Sequence, residues 1–425
     1  MANTRRSFIK GICSAAAFAP SFGILAEEKK KCWPPPHGHV LGLPSAYDNP
    51  LRRQNRRLPD RGLPAPSFDF NARGEFVFMH ATDTHWNKPV MSDRDRRFYA
   101  KVCELYSPSL AVVTGDNVNI RWKGESGFDG GARALVSHFT ENRVPFAITL
   151  GNHDAENTGE YYYTAEEQWE VYRALGGRYF CDYNVPSLCG CANGVIHLKK
   201  DGATKFDLYV MDTGDYGPFN VNDRWNEYDG YDGVRREQLD WIQRQLKAKT
   251  PSLFFQHIPV QELKDLTDGG RLMGRGIFRR VDGERATGCA PGAGTCTGCE
   301  TAAKNCGAIY EVNPERTTGR LGEPVCPTCS RLRRDARYLT TDGKSEYDLW
   351  RENKCVKGAY FGHDHANSYD GVTTDGVRLG ATTGSSSCST RLFGVRIFTV
   401  RADGTYDTKV VTEQDVFPGA SGRQA

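Results

Sequence analysis

Short apolar runs that end in polar residues recur along the chain. The first covers residues 76–81, and comparable runs cover residues 110–114, 146–150, 253–255 and 359–361. Between them, apolar residues recur with helical spacing over residues 93–105, 132–141, 164–175 and 235–247. Buried strands that alternate with helices are typical of an α/β domain. The pattern therefore predicts an α/β fold, with the strands delivering polar side chains at their carboxyl ends.

The polar residues that follow these five runs are rich in metal-binding types. They are Asp83, His85, Asp116, Asn152, His153, Asp154, His257, His363 and His365. Sites in open α/β sheets lie outside the carboxyl ends of the strands, so these residues are expected to converge. Taken singly, each has an ordinary explanation in turn formation or hydrogen bonding. Together, mixed histidine and carboxylate side chains favour a site for Zn, Fe or Mn.

The first 75 residues divide into two segments of different composition. Residues 1–26 have a basic start followed by small apolar residues, which predicts a signal peptide. Its Arg5-Arg6 pair resembles the twin-arginine export signal, and this implies the twin-arginine translocase as a partner and a periplasmic or secreted bacterial protein. Residues 27–75 are rich in proline and carry a basic run. We predict that they form an extended arm without regular helix or sheet.

Composition and charge narrow the class of partner. The 425 residues carry 55 Lys+Arg against 52 Asp+Glu, a net charge of +3, which gives no reason to expect a nucleic-acid polymer. No run of 18 apolar residues occurs, so no integral membrane span is expected after removal of the signal. The chain also has 14 cysteines, a number that indicates either metal binding or disulfides.

Six of those cysteines fall in residues 285–344, where the helical and strand patterns stop. We predict that this stretch is an insertion in the main domain. Two CxxC pairs within it are candidates for either a structural zinc site or disulfides: Cys296, Cys299, Cys326 and Cys329. One further bridge is expected among Cys181, Cys189 and Cys191.

The polar strand ends, taken in order, resemble the motifs of the calcineurin-like metallophosphoesterase superfamily. These are Asp83-Thr84-His85, Gly115-Asp116, Gly151-Asn152-His153-Asp154, His257 and Gly362-His363-Asp364-His365. Runs such as 208–214 and 255–259 are similar to the purple-acid-phosphatase-related branch. The resemblance implies a four-layer αββα sandwich of two mixed sheets flanked by helices. The domain would cover residues 76–415, with the Cys-rich insertion inside it.

The resemblance also implies roles for individual residues. Asp83, His85 and His365 would bind one metal ion; Asn152, His257 and His363 would bind a second, and Asp116 would bridge the two. His153 would protonate the leaving oxygen, with Asp154 orienting it. Purple acid phosphatases have a metal-binding tyrosine where this chain has Asn119. An obligatory Fe(III) is therefore not expected, and two Fe, Zn or Mn ions remain the alternatives.

The function implied is that of an exported, acid-phosphatase-like hydrolase acting on small phosphorylated substrates. The implied reaction is attack on a phosphomonoester by a hydroxide held at the dinuclear centre. A phosphodiesterase or nucleotide hydrolase using the same site is an alternative, because selectivity lies in loops outside the motifs. A binding protein with a vestigial phosphatase core is a third hypothesis. It is disfavoured because competent residues fill every motif position.

Overall fold

The computed structural model describes residues 58–119, 127–156, 163–215, 231–266, 271–277, 336–365, 368–390 and 393–418. The predicted signal peptide and the cysteines at 296, 299, 326 and 329 lie outside the described residues and stay predictions. The same holds for most of the predicted arm. Within the described part, no helix combines the length and the apolar character that crossing a membrane requires.

The described residues contain two mixed β-sheets, built from β1 Ser67–Asp69, β2 Glu75–Ala81, β3 Ala111–Thr114, β4 Phe146–Thr149, β5 Gly194–Lys200, β6 Ala203–Met211, β7 Ser252–Gln256, β8 Arg271–Ile277, β9 Val356–Phe361, β10 Ser368–Val372, β11 Arg378–Ala381, β12 Gly394–Arg401 and β13 Tyr406–Thr412. One sheet has the order β1-β5-β6-β7-β9-β11-β10-β8, and the other has the order β13-β12-β2-β3-β4. β2, β3 and β4 are mutually parallel, as are β6, β7, β9 and β11. Their carboxyl ends therefore face the same edge within each sheet.

The described α-helices are α1 Asp93–Tyr106, α2 Gly127–Thr140, α3 Ala165–Gly176, α4 Arg236–Gln245, α5 Glu346–Glu352 and α6 Glu413–Val416. Local chemistry fixes where several of them begin. Thr164 and Glu167 form a capping box at the start of α3, because each side chain bonds the backbone N–H of the other. All four helices that the apolar spacing predicts are present, with ends within a few residues of the predicted ones.

Apolar packing arranges these elements in layers. Phe78 on β2 meets Phe255 on β7 edge to face, with ring centroids 5.6 Å apart, so the two sheets pack against each other. On the outer face of the larger sheet, Phe254 packs against Trp350 of α5. On the smaller sheet, Phe139 of α2 stacks on Phe146 of β4. The predicted architecture of two mixed sheets flanked by helices is confirmed.

Two predictions about the periphery need correction. Residues 67–69 lie in the predicted arm, yet they form β1, which pairs in parallel with β5; the prediction of no regular sheet is wrong there. At the end of the predicted insertion, which stays a prediction, the Tyr338 hydroxyl donates to Asp232 of the main domain. The expected bridge among Cys181, Cys189 and Cys191 is also wrong, because none of the three forms a disulfide within the described residues.

Candidate metal centre

Five strand ends from both sheets bring polar side chains to one place. In the smaller sheet, Asp83 and His85 follow β2, Asp116 follows β3, and Asn152 and His153 follow β4. In the larger sheet, His257 follows β7, and His363 and His365 follow β9. The site therefore lies at the edge where the carboxyl ends of the two sheets meet, as the sequence pattern predicts.

Asp116 lies at the middle of this group. Its Oδ1 is 3.3 Å from Nε2 of His257, and its Oδ2 is 3.6 Å from Nε2 of His85. The same Oδ2 is 4.0 Å from Nε2 of His153. The two carboxylate oxygens thus face different groups of side chains. This is the geometry that a bridging carboxylate needs, because each oxygen can serve one ion.

The remaining predicted ligands form one group on each side of Asp116. On one side, Asp83 Oδ1 is 3.9 Å from Nε2 of His85, and the His85 and His365 ring centroids are 5.1 Å apart. On the other side, Oδ1 of Asn152 is 3.1 Å from both His257 Nε2 and His363 Nδ1. All seven predicted ligands and His153 therefore converge. We call these two groups the Asp83 half and the Asn152 half.

The charges of the buried side chains suit a cation. Donor atoms of Asp83, Asp116 and His257 lie within 4.8 Å of one another, and all three residues are buried. Burial raises the pKa of Asp83 to about 7, and the nearby Asp116 charge adds to this. Among the described residues, Oδ1 of Asp83 has no hydrogen-bond partner. A cation between these carboxylates would offset both the desolvation cost and the repulsion, so the donor set fits a metal.

His257 and Asp116, by contrast, are held in their charged forms. Burial would lower the pKa of His257, but the charges of Asp116 and Asp83 outweigh it and raise that pKa to about 9. Burial likewise opposes ionisation of Asp116, yet His257 and His153 hold its pKa well below the usual range. In the protein without metal, a positive His257 therefore partly neutralises the two carboxylates.

Four of the predicted ligands have left-handed backbone. The φ angles are 49° at Asp83, 44° at His85, 51° at Asp116 and 73° at His363. Such a conformation costs about 1–3 kcal/mol at a residue other than glycine and persists only where the surroundings enforce it. All four residues lie just beyond the carboxyl end of a strand. The strain is thus concentrated where the ligand directions are set.

Glycines in the motifs provide room for the ligands. A Cβ at Gly362 would lie 2.0 Å from Oγ1 of Thr82 and 2.7 Å from Oδ2 of Asp83. A Cβ at Gly151 would lie 2.4 Å from Oδ1 of Asp116. Distances below 3 Å are not compatible with a real side chain, so the ligand loops approach each other as closely as these glycines allow.

We expect Gly362→Ala to destabilise the fold even without metal. The added methyl group must displace Thr82 or Asp83, and such overpacking costs about 1–3 kcal/mol. Urea denaturation of the metal-free protein measures the free energy of unfolding. Gly233→Ala is the matched control, because the nearest atom to its added Cβ is 3.7 Å away. Equal stability of the two variants would show that the site has room for the methyl group.

Asp154 links the loops after β3 and β4. Its carboxylate accepts hydrogen bonds from the Gly151 N–H (2.8 Å), the Asn117 N–H (3.1 Å) and the Val118 N–H (3.3 Å). Burial raises its pKa to about 7. These bonds hold together the two loops that carry Asp116 and Asn152. The predicted role of Asp154 as the residue that orients His153 stays a prediction.

His80 is a supporting residue that the sequence pattern did not indicate. It is fully buried, with Nδ1 2.9 Å from Oγ1 of Thr382 and Nε2 2.7 Å from Oγ1 of Thr114. The Thr114 carbonyl lies 2.8 Å from Nδ1 of His257. Burial lowers the pKa of His80, which keeps the ring neutral. Because His80 lies inside an apolar strand and not at its end, nothing in the pattern separates it from a core residue.

Known proteins resemble this chain in both sequence and structure. The family model for calcineurin-like phosphoesterases matches residues 76–283. An uncharacterized protein of Schizosaccharomyces pombe is 29% identical over 229 residues, which cover 52% of this chain and 40% of that protein. The "Probable inactive purple acid phosphatase 29" of Arabidopsis thaliana is 24% identical over 260 residues, covering 48% of this chain and 61% of that protein.

A solved structure is also similar. The dimetal phosphatase from Danio rerio is 11% identical with a TM-score of 0.40, and the alignment covers 80% of this chain and 99% of that one. The match to the two curated relatives spans only 40% and 61% of their own lengths. Regions of those relatives beyond the match therefore have no counterpart in the aligned part of this chain.

Proposed function

We propose, on the premise that residues 76–283 carry a calcineurin-like phosphoesterase domain, that this chain is a metal-dependent hydrolase of phosphomonoesters. The observation that supports the proposal most directly is the convergence around Asp116. Its two oxygens face His85 on one side and His257 on the other. A bridging carboxylate between two groups of nitrogen and oxygen donors is the arrangement that a two-metal phosphoesterase requires.

The residues that would hold the two ions follow from this geometry. The Asp83 half would hold one ion and the Asn152 half the other, with Asp116 shared. Metal ions held in this way supply Lewis acidity, which polarises a phosphoryl group and acidifies water. Asn152 contributes an uncharged oxygen, so the centre carries fewer negative charges and attracts a phosphate dianion more strongly.

His153 would act on the substrate. Its side chain is 30% exposed, whereas the adjoining Asp116 is buried, so the ring borders both the centre and the solvent. Its backbone N–H donates to Oδ1 of Asp116 at 2.8 Å, which fixes the position of the residue relative to the centre. From this place, a proton on the ring can pass to the leaving oxygen, which would otherwise depart as an alkoxide.

Hydrolysis is proposed even though the Arabidopsis relative is named as inactive. That name describes the relative, and activity in this superfamily depends on the ligand set of each chain. In this chain each of the seven predicted ligand positions holds a competent side chain, and the seven converge. Four of them, Asp83, His85, Asp116 and His363, also have a left-handed backbone that only enforcing surroundings maintain.

The experiment combines metal analysis with two substrates. Purified protein loaded with Mn²⁺, Zn²⁺ or Fe²⁺ is assayed with a nitrophenyl phosphate monoester and with the matching diester. We expect two ions per chain beyond any that the cysteines hold, and faster cleavage of the monoester. Faster cleavage of the diester would assign the site to phosphodiesters. Fewer than two ions together with no cleavage of either ester would exclude the hydrolase.

A further inference from the structure

A serine-rich loop contacts the ligand segments of the Asp83 half. The loop covers residues 383–387, Thr-Gly-Ser-Ser-Ser, and begins two residues after β11. Its first four residues are buried. We call it the serine loop. It carries none of the predicted ligands, and it lies beyond residues 76–283, which match the phosphoesterase family.

The serine loop is hydrogen-bonded to the segment that carries Asp83 and His85. The Ser385 N–H donates to the Thr82 carbonyl at 2.9 Å, and the Thr82 N–H donates back to Oγ of Ser385 at 3.0 Å. The Ser386 hydroxyl donates to the Thr84 carbonyl. These bonds hold the residues on both sides of Asp83, so they define the path of its left-handed backbone.

The same loop is also bonded to the segment that carries His365. The Gly384 N–H donates to the His365 carbonyl at 3.0 Å, and the Thr383 hydroxyl donates to that carbonyl at 3.2 Å. A Cβ at Gly384 would lie 3.1 Å from Cβ of His365, so the two backbones are close together. One short loop thus connects two ligand segments that are about 280 residues apart in sequence.

Helix α1 anchors the serine loop from behind. The Ser387 N–H donates to Oδ1 of Asp95 at 2.8 Å, and the Ser387 hydroxyl also bonds the Asp95 carboxylate. The Tyr99 hydroxyl donates to the Ser385 carbonyl at 2.9 Å. Asp95 and Tyr99 are both buried. The loop is therefore fixed to a rigid element and can transmit that rigidity to the ligand segments.

We propose that the serine loop is a positioning element for the metal held by Asp83, His85 and His365. This inference rests on the proposed two-metal function. The other half has a support outside the loop, because the Asp154 carboxylate holds the segment that carries Asn152 through the Gly151 N–H. Loosening the serine loop should therefore weaken the binding of one of the two metal ions selectively. The loop would act through the backbone of the ligand segments and would make no contact with substrate.

The test is a Co²⁺ titration of metal-free protein, monitored by absorption and by competition with a chelator. Wild-type protein is expected to bind two ions. In Ser386→Ala, which removes the bond to the Thr84 carbonyl, one ion should bind as in wild type and the other about tenfold more weakly, as is typical when support of a ligand is lost. The absorption bands of the weakened ion should also change, since its ligands are less well held.

Ser345→Ala is the matched control. The Ser345 hydroxyl donates to Oδ2 of Asp348 at 2.7 Å and accepts from the Asp348 N–H at 3.2 Å at the start of α5. Its loss removes two hydrogen bonds of a serine outside the centre. The control should bind both ions with wild-type affinity. Equal weakening in Ser345→Ala and Ser386→Ala would reduce the effect to general loss of stability and overturn the inference.

Two further comparisons separate the remaining outcomes. If Ser386→Ala does not fold, Ser387→Ala is the alternative variant. It removes the hydroxyl bond to Asp95 and keeps the bond from the Ser387 N–H. The same metal ion should then bind more weakly than in wild type, but to a smaller extent. Wild-type affinity for both ions in the folded loop variant would overturn the role of the loop. Failure of wild-type protein to bind two ions would instead contradict the proposed function.

Discussion

Asp116→Ala is expected to lose bound metal and hydrolytic activity together. The Asp116 carboxylate faces both halves of the centre, with His257 and His85 nitrogens 3.3 and 3.6 Å from its two oxygens. Removing it takes a ligand from both ions and leaves Asp83 buried beside uncompensated histidines. We expect the fall in activity to exceed that from loss of an acid–base group, which is about 10²–10⁴-fold.

Metal content per chain and turnover of a nitrophenyl monoester measure this effect. Asp207→Asn is the control, because Asp207 is a buried aspartate that contacts a histidine, His197, at 2.7 Å outside the ligand set. It should keep both ions and wild-type turnover. Two tightly bound ions in folded Asp116→Ala would show that Asp116 does not bridge them.

His153→Ala is expected to keep both metal ions and to lose turnover. His153 contacts Asp116 only at 4.0 Å through its ring, so the ligand set stays intact. Loss of the proton donor leaves the departing oxygen unprotonated, and kcat should fall by about 10²–10⁴-fold. The fall should be smaller for a nitrophenyl ester than for an alkyl ester, since nitrophenolate departs readily without a proton.

The comparison of these two leaving groups identifies the role of His153. A residue that only bound phosphate would lower both rates by the same factor. His197→Ala is a close control, because the His197 side chain is 29% exposed against 30% for His153 and likewise lies beside an aspartate. Unchanged turnover in His153→Ala would remove this residue from the mechanism.

The sequence allowed the central part of the fold and site to be predicted because both follow from local pattern. Buried parallel strands are short apolar runs, so their ends are easy to locate, and Asp116 or His257 is conspicuous just beyond such a run. Convergence then follows from topology, since the parallel strands of each sheet share one carboxyl edge. Neither step requires knowledge of long-range contacts.

What could not be predicted depends on contacts between distant segments. β1 has only three residues and exists because β5 offers an edge to pair with, so its sequence carries no strand signal. Residues 383–387 follow a sixth strand end, yet Thr, Gly and Ser indicate only a loop. Their importance lies in which carbonyls they bond, and that depends on the tertiary structure. The bridge expected near Cys181 and Cys191 also fails, because burial as small apolar side chains accounts for both residues.

The division of the ligands between two sheets has a consequence for the apolar core. Asp83, His85, Asp116 and Asn152 follow strands of one sheet, and His257, His363 and His365 follow strands of the other. The spacing between donors is therefore set by side chains such as Phe78 and Phe255, whose edge-to-face packing fixes the separation of the sheets. Volume changes in that interior would alter coordination distances at a site they do not touch. The packing of the apolar core therefore sets the distances between the ligand atoms of the centre.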